Sequence, residues 1–168
     1  IDQVRLAQRI VDQFPDTISD IRARLDIVLL DEYQDTSIAQ RQLLQTLFGD
    51  GFPVTAVGDP CQAIYSWRGA SVDNIESFPQ HFPRTDQRPA SRYSLAENRR
   101  SGPAVLHVAN EISTELRAEH AGADPLIPPG DAAPARVDVG LFDTIETEVE
   151  FLATRVGEVH AAVGKRRA

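Results

Sequence analysis

The stretch IVLLDEYQDTSIAQ, residues 27–40, decides the fold, and the stretch VTAVGDPCQAIYSWRGA, residues 54–70, follows the same plan. Each begins with a short apolar run and continues into polar residues, a pattern typical of buried parallel strands. The first run ends at the adjacent carboxylates Asp31 and Glu32. We therefore predict that two consecutive strands of one sheet carry polar loops at their carboxyl ends.

Helices are predicted around these strands from apolar residues spaced three and four apart. Alternating strands and helices with short connections predict an α/β fold with a mainly parallel sheet. A polar segment over residues 79–92, with three prolines, indicates a crossing between domains. The predicted strands are Ile27–Leu30, Val54–Val57, Tyr93–Ala96 and Val137–Phe142. The predicted helices are one that ends near Pro15, one whose capping box is Ser37 with Gln40, a short helix Val72–Phe78, one with Ser101 as N-cap and Pro103 in its first turn, and a last helix with Asp143 and Glu146 at capping-box spacing. Residues 121–135 are predicted to form a loop.

Composition narrows the class of protein. The 168 residues are 42% hydrophobic and 25% charged, which is ordinary for a globular protein, and the apolar runs are too short for a membrane span. Cys61 is the only cysteine, so an internal disulfide is excluded and a zinc site is disfavoured. A cytoplasmic protein is expected. The formal charge of −8 argues against nucleic-acid binding by the whole surface and leaves room for a local groove.

A phosphate-binding P-loop is missing from the sequence. Such a loop needs G-x-x-x-x-G-K-[ST], and the single lysine, Lys165, lies in VGKRRA, where Arg166 replaces the Ser or Thr. The basic run at residues 165–167 is expected to be a solvated terminus. The chain also has no Met and begins at Ile1 within a predicted helix. We therefore expect an internal piece of a longer protein.

Three groups of residues carry the candidate chemistry. Asp31 and Glu32 suit Mg²⁺ binding and the polarisation of an attacking water, and Gln62 suits a sensor of the γ-phosphate. The alternative for the acids is a helix-start region with no catalytic task. An arginine in the segment 98–101 could reach across a cleft to a γ-phosphate, the alternative being two surface arginines near a helix start.

The aromatic residues of the second loop form the third group. Tyr65 and Trp67 could stack on unpaired bases, each contact contributing about 1–3 kcal/mol, with Arg68 beside them. For an isolated aromatic residue, packing in the core is the competing interpretation. Their spacing of two residues after a loop favours the groove.

Together, DEYQDT, GDPCQAIYSWRGA and LAENRRS resemble, in order and spacing, three motifs of the UvrD/Rep/PcrA family of superfamily 1 ATP-dependent DNA helicases, which move 3′ to 5′ on single strands. The resemblance covers about residues 1–120. It implies ATP and Mg²⁺ as ligands, and single-stranded DNA and duplex junctions as partners. Its implied roles are Mg²⁺ binding for Asp31, catalytic base and metal ligand for Glu32, γ-phosphate sensing for Gln62, DNA contact for Tyr65, Trp67 and Arg68, and phosphate contact for Arg100. Arg99 stands where the family has an adenine-stacking Tyr.

The resemblance also implies a domain division. It predicts a RecA-like P-loop NTPase core in which residues 1–85 form the back half of the first domain and residues 93–168 open the second, with the crossing at 86–92. The remaining N- and C-terminal parts of the motor would come from the same parent protein. The expected function is DNA unwinding in repair or recombination. The alternatives are the motor of a RecB/AddA-type helicase–nuclease and a truncated, non-catalytic binding remnant.

Overall fold

The computed structural model describes residues 2–120 and 122–164. The predicted basic cluster at Lys165 and the first residue, Ile1, lie outside the described residues. Helices and strands alternate through the first half, and helices dominate the second. The elements are α1 Asp2–Gln13, α2 Asp16–Arg22, β1 Val28–Leu30, α3 Ile38–Phe48, β2 Val54–Ala56, α4 Asp73–Glu76, α5 Phe78–His81, α6 Pro103–Ile112, α7 Thr114–Ala118 and α8 Ile145–Gly164.

Strands β1 and β2 form a two-stranded parallel sheet, as the prediction of an α/β fold with parallel pairing requires. Val28 pairs with Val54 and Leu30 with Ala56, so both strands end at the same edge. The ladder continues past the strands, because the N–H of Tyr33 donates to the carbonyl of Val57 at 3.0 Å. The two polar loops are thereby held side by side.

Helix α3 connects the strands, and its start is as predicted. The Ser37 hydroxyl accepts the N–H of Gln40, and the Gln40 side chain accepts the N–H of Ser37, which completes a capping box. Helices α1 and α2 pack against α3. Ile21 of α2 and Phe48 of α3 lie in the same apolar cluster as the inward residues of both strands, so these two helices cover one face of the sheet.

The core lies between the sheet, helix α3 and the short helices α4 and α5. Tyr33, Phe48, Phe78 and Phe82 are buried together, and the inward residues of both strands pack on them. The rings of Tyr33 and Phe78 meet edge-on at 5.5 Å between centroids, a favoured aromatic geometry. Burial raises the pKa of Tyr33 to about 12, against a smaller opposing effect of Arg41. The residue directly after the acid pair therefore anchors its loop in the core.

The prediction of fully buried strands was wrong for one face of the sheet. Leu29 is 72% exposed, and Ile27 and Val57 are about half exposed. Only the face that bears Val28 and Leu30 meets the core, because the described helices cover that side alone. The predicted helix Val72–Phe78 is also divided, at Ser77, into α4 and α5.

Two predicted strands in the second half are not strands. Tyr93–Ala96 and Val137–Phe142 are irregular, and within the described residues the nearest pairing is an isolated bridge between Glu97 and Ile127. Leu141 is fully exposed. A strand is defined by its ladder, and here the extended pattern has no neighbouring strand among residues 2–120 and 122–164.

Two predicted helix caps were also wrong. The N-cap of α6 is Gly102, and the N–H of Ser101 instead donates to the Asn98 side chain at 2.9 Å. Pro103 does occupy the first turn. At the start of α8 the hydroxyl of Thr144 accepts the N–H of Thr147 at 3.3 Å, in place of the predicted box of Asp143 with Glu146. In the part of the chain that is described, no helix combines the length and apolarity that crossing a membrane requires.

Candidate nucleotide and nucleic-acid site

The acid pair lies directly beyond the end of β1. Asp31 and Glu32 are both exposed, and the N–H of Glu32 donates to Asp31 Oδ1 at 2.9 Å. Glu32 has a φ of 50° in the left-handed region, which is unusual for a residue other than glycine. Such conformations cost about 1–3 kcal/mol and cluster at functional sites. The strained backbone turns both carboxylates toward solvent at the sheet edge.

Gln34 connects the acid pair to the second loop. Its side chain is 1% exposed, its Nε2 donates to Glu32 Oε2 at 2.6 Å, and its Oε1 accepts the N–H of Asp59 at 3.1 Å. Gly58 leaves space for this amide, because a Cβ at that position would lie 2.6 Å from Gln34 Oε1. The two strand-end loops are therefore joined by one buried amide.

Asp59 organises the second loop and holds Gln62. Its Oδ1 accepts the N–H of Cys61 at 2.9 Å, which caps a 3₁₀ turn over residues 60–62. Its Oδ2 accepts a hydrogen bond from Gln62 Nε2 at 2.8 Å. Burial, followed by the nearby Asp59 charge, raises the pKa of the Cys61 thiol. Gln62 is thereby placed at the same sheet edge as Glu32.

Tyr65, Trp67 and Arg68 form an exposed aromatic cluster. The two rings lie 6.3 Å apart between centroids, and the Arg68 guanidinium lies 5.4 Å from the Tyr65 ring centre. Trp67 is 74% exposed. These side chains do not pack in the core, so the competing interpretation of Trp67 as a core residue was wrong. The cluster offers flat surfaces and one cation to solvent, which suits base stacking.

The acid-bearing loop and the aromatic loop are also tied to each other. Ser37 and Ala70 form an antiparallel bridge, and the N–H of Ser71 donates to the carbonyl of Thr36 at 3.3 Å. The buried side chain of Asn74 donates to that same carbonyl at 2.6 Å. A displacement of one loop is therefore resisted by the other.

Among the described residues, neither predicted arginine is hydrogen-bonded or ion-paired to this site. Arg99 forms an ion pair with Glu97 at 2.5 Å, and both side chains are largely exposed. The backbone N–H of Arg100 donates to Asn98 at 3.0 Å, and no hydrogen bond or ion pair joins Arg100 to the acid pair among the described residues. Asn98 shapes this turn by accepting two backbone N–H groups. A facing arrangement of Arg100 and Glu32 stays a prediction.

A cavity of about 340 Å³ separates the second loop from the end of α7. Ile64 and Ala70 line one side, and Leu116 and His120 line the other. Neither carboxylate of the acid pair and neither predicted arginine lines it, so it differs from the predicted nucleotide cleft. Glu76 and His120, whose Oε1 and Nδ1 lie 2.7 Å apart, join the two halves of the chain nearby.

The carboxylates of Asp31 and Glu32 are the candidate ligands for a metal ion. Within residues 2–120 and 122–164, no group of three or more His, Cys, Asp or Glu side chains could hold a metal. Mg²⁺ commonly binds through one or two carboxylates while keeping water and substrate phosphate oxygens in its shell. Two adjacent, solvent-facing carboxylates fit that chemistry and would not form a closed protein cage.

Sequence reasoning missed the connecting roles of Gln34 and Asn74. Both residues are polar and at most 2% exposed, and the side chain of each forms a hydrogen bond with a residue that is distant in sequence. The signal for Gln34 was its place two residues after the acid pair. Asn74 carried no local signal, because its partner is the backbone of Thr36.

Comparison with known proteins gives consistent matches. The profile of the UvrD/REP helicase N-terminal domain matches residues 1–83. Over 111 residues, or 66% of this chain, the sequence is 34% identical to the ATP-dependent DNA helicase PcrA of Bacillus subtilis and 33% identical to that of Staphylococcus epidermidis. The PcrA of Staphylococcus aureus is 32% identical over the same length. The chain spans 14% of the length of these relatives.

Proposed function

Residues 1–83 belong to the UvrD/REP helicase family, and from this membership we propose that the chain supplies the water-activating edge of an ATP-hydrolysing site in a DNA helicase. The observation that carries the proposal is the connection of Glu32 to Gln62 at one sheet edge by hydrogen bonds through Gln34 and Asp59. Acidic and amide side chains so placed suit phosphoryl transfer to water, a reaction that depends on positioning and charge stabilisation.

Each side chain has a distinct role in this proposal. Asp31 and Glu32 would hold Mg²⁺, which when bound neutralises charge on the nucleotide phosphates. The Glu32 carboxylate accepts a proton from the attacking water, directly or through a second water. The Gln62 amide can donate to a γ-phosphate oxygen and accept from the same water. Release of its hydrogen bond to Asp59 would free Gln62 for that contact.

The aromatic cluster is proposed to bind single-stranded DNA. Trp67 and Tyr65 present ring faces on which bases can stack, and Arg68 adds a cation for the phosphate backbone. The ties through Thr36 and Asn74 give a physical route by which movement at the acid pair reaches these rings. We assign the strand movement a 3′-to-5′ direction by resemblance to the family.

The wider architecture of the motor belongs to the same proposal. Residues 1–85 would form part of a first RecA-like domain and residues 93–168 part of a second, with the nucleotide between them. Arg100 would then approach the γ-phosphate from the second domain, and Arg99 would lie near the base. The exposed guanidinium groups of both residues leave them accessible for such contacts.

A chimera tests the proposal. The aligned 111 residues of Bacillus subtilis PcrA are replaced by those of this chain, and DNA-stimulated ATP turnover and unwinding are measured. We expect both activities to persist. A matched chimera carrying Asp31→Ala controls for the acid pair and should lose turnover. A well-folded chimera, judged by thermal unfolding, that neither hydrolyses ATP nor unwinds DNA would contradict the proposal.

A further inference from the structure

Three hydrogen bonds, linked through the residues Gln34 and Asp59, connect the carboxylate of Glu32 to the amide of Gln62. Gln34 Nε2 donates to Glu32 Oε2 at 2.6 Å, and Gln34 Oε1 accepts the N–H of Asp59 at 3.1 Å. Asp59 Oδ2 then accepts from Gln62 Nε2 at 2.8 Å. The outer members are exposed, whereas Gln34 is 1% exposed. Two solvent-facing groups are therefore connected through a buried centre.

The orientation of the Gln34 amide is fixed by its partners. An amide has one accepting oxygen and one donating nitrogen, and each faces the group that it requires. A flipped amide would place its oxygen against the Glu32 carboxylate and its NH₂ group against the N–H of Asp59. Both contacts would be unfavourable in a site with little access to water. The connection therefore exists in one arrangement only.

The backbone around Gln34 leaves little freedom for adjustment. A Cβ on Gly58 would approach Gln34 Oε1 to 2.6 Å and its backbone nitrogen to 3.2 Å. The neighbouring Glu32 is held in a left-handed conformation with a φ of 50°. Side chains packed this tightly transmit a displacement instead of absorbing it.

We propose that Gln34 and Asp59 are positioning residues, Gln34 for the Glu32 carboxylate and Asp59 for the Gln62 amide. Gln34 orients the Glu32 carboxylate, and its Oε1 binds the second loop by accepting the N–H of Asp59. Asp59 holds the Gln62 side chain by accepting a hydrogen bond from Gln62 Nε2, until a stronger acceptor competes for that NH₂ group. The functional meaning rests on the proposed role of Glu32 as the base. The hydrogen-bonded connection itself can be tested without nucleotide or metal.

The experiment uses the 15N-labelled 168-residue chain and reads the side-chain NH₂ signals of Gln34 and Gln62 and the backbone amide of Asp59. Glu32→Ala removes an exposed carboxylate, so the fold should be retained. We expect this variant to shift the Gln34 NH₂ signals and the Asp59 amide. Gln34→Leu should speed hydrogen exchange at the Asp59 amide about tenfold and shift the Gln62 NH₂ signals.

Asn74→Ala is the matched control. Asn74 is a second buried amide, and among the described residues its side chain donates to the backbone carbonyl of Thr36 and has no hydrogen bond to Glu32 or Asp59. This variant should lose stability while leaving the Gln62 NH₂ signals and the Asp59 exchange rate in place. Equal effects of Gln34→Leu and Asn74→Ala on those signals would reduce Gln34 to a packing role and overturn the proposal. If Gln34→Leu fails to fold, the proposal is still open to refutation: an Asp59 amide signal that does not shift in Glu32→Ala would overturn it.

A Mn²⁺ titration separates this inference from the proposed function. Mn²⁺ at the acid pair should broaden the amide signals of Asp31 and Glu32, and Gln34→Leu should weaken that binding several-fold. Absence of broadening in the unsubstituted chain would count against the metal-binding role of the acids. The signal shifts caused by Glu32→Ala would still establish the connection, so the two failures are distinguishable.

Discussion

The guanidinium carbon of Arg68 lies 4.7 Å from the ring centre of Trp67, and the ring is nevertheless 74% exposed. The cation covers part of the indole and restricts its rotation, a contact worth about 0.5–1 kcal/mol at an exposed site. Gly69, with a φ of 88°, ends the turn directly after this pair. The indole is thereby presented to solvent in a defined orientation.

Replacing Trp67 with Ala should weaken binding of single-stranded DNA by about five- to 150-fold, the range for loss of one base-stacking contact. Anisotropy of a dye-labelled oligonucleotide measures the affinity. Tyr93→Ala is the control, because Tyr93 is 85% exposed and lies outside the cluster. Equal affinity of the Trp67→Ala variant and the unsubstituted chain would remove the stacking role.

Glu32→Gln, introduced into the chimera with Bacillus subtilis PcrA, should abolish ATP turnover while nucleotide binding is retained. The amide keeps the shape of the side chain but cannot accept the proton of the attacking water. Turnover is measured by phosphate release and binding by a fluorescent ATP analogue. Glu97→Gln, at an exposed carboxylate paired with Arg99, is the control. Unchanged turnover would exclude Glu32 as the base.

The 168-residue chain alone should not hydrolyse ATP. Lys165 is its single lysine and lacks the context of a phosphate-binding loop, so no lysine is available to neutralise the β- and γ-phosphates. Phosphate release is measured with Mg²⁺ and single-stranded DNA present. A preparation carrying Glu32→Gln controls for contaminating ATPases. Turnover that exceeds this control would contradict the prediction.

Local signals predicted the first half of the fold well. The Ser37 capping box and the apolar runs of β1 and β2 are encoded within a few residues, and each was confirmed. The Gln34 bridge was not predictable, because its acceptor role depends on Asp59, 25 residues away in the sequence. The predicted strand Val137–Phe142 was wrong, because a strand depends on a pairing partner that a local sequence pattern cannot reveal.

Gly58→Ala should destabilise the chain by about 1–3 kcal/mol, the usual cost of overpacking. The added methyl group would lie 2.6 Å from Gln34 Oε1, so the buried amide must move. Gly157→Ala is the control, since Gly157 lies inside α8 and its added methyl group would enter open space. That change should stabilise α8 by about 0.5–1 kcal/mol. Chemical denaturation measures both, and a neutral Gly58→Ala would contradict the close packing.

Stability should fall as the pH drops below the ordinary histidine pKa of 6.5, because the pKa of His81 is lowered in the folded chain. Burial, with a smaller effect of the positive charge of Arg41, lowers the pKa of His81 below its usual 6.5, and its buried Nδ1 has no hydrogen-bond partner among the described residues. The folded chain therefore favours neutral His81, while the unfolded chain takes up a proton near pH 6.5. This contribution is present above that pH and is lost as pH falls toward the lower folded value.

The His81→Gln variant isolates this effect, because glutamine does not titrate in the same range. Its unfolding midpoint in urea should depend less on pH than that of the unsubstituted chain. The lowered pKa values of Asp86 and Asp138 affect stability only at more acidic pH, so they do not confuse the comparison. Identical pH profiles for the two chains would show that His81 is protonated equally in the folded and unfolded states.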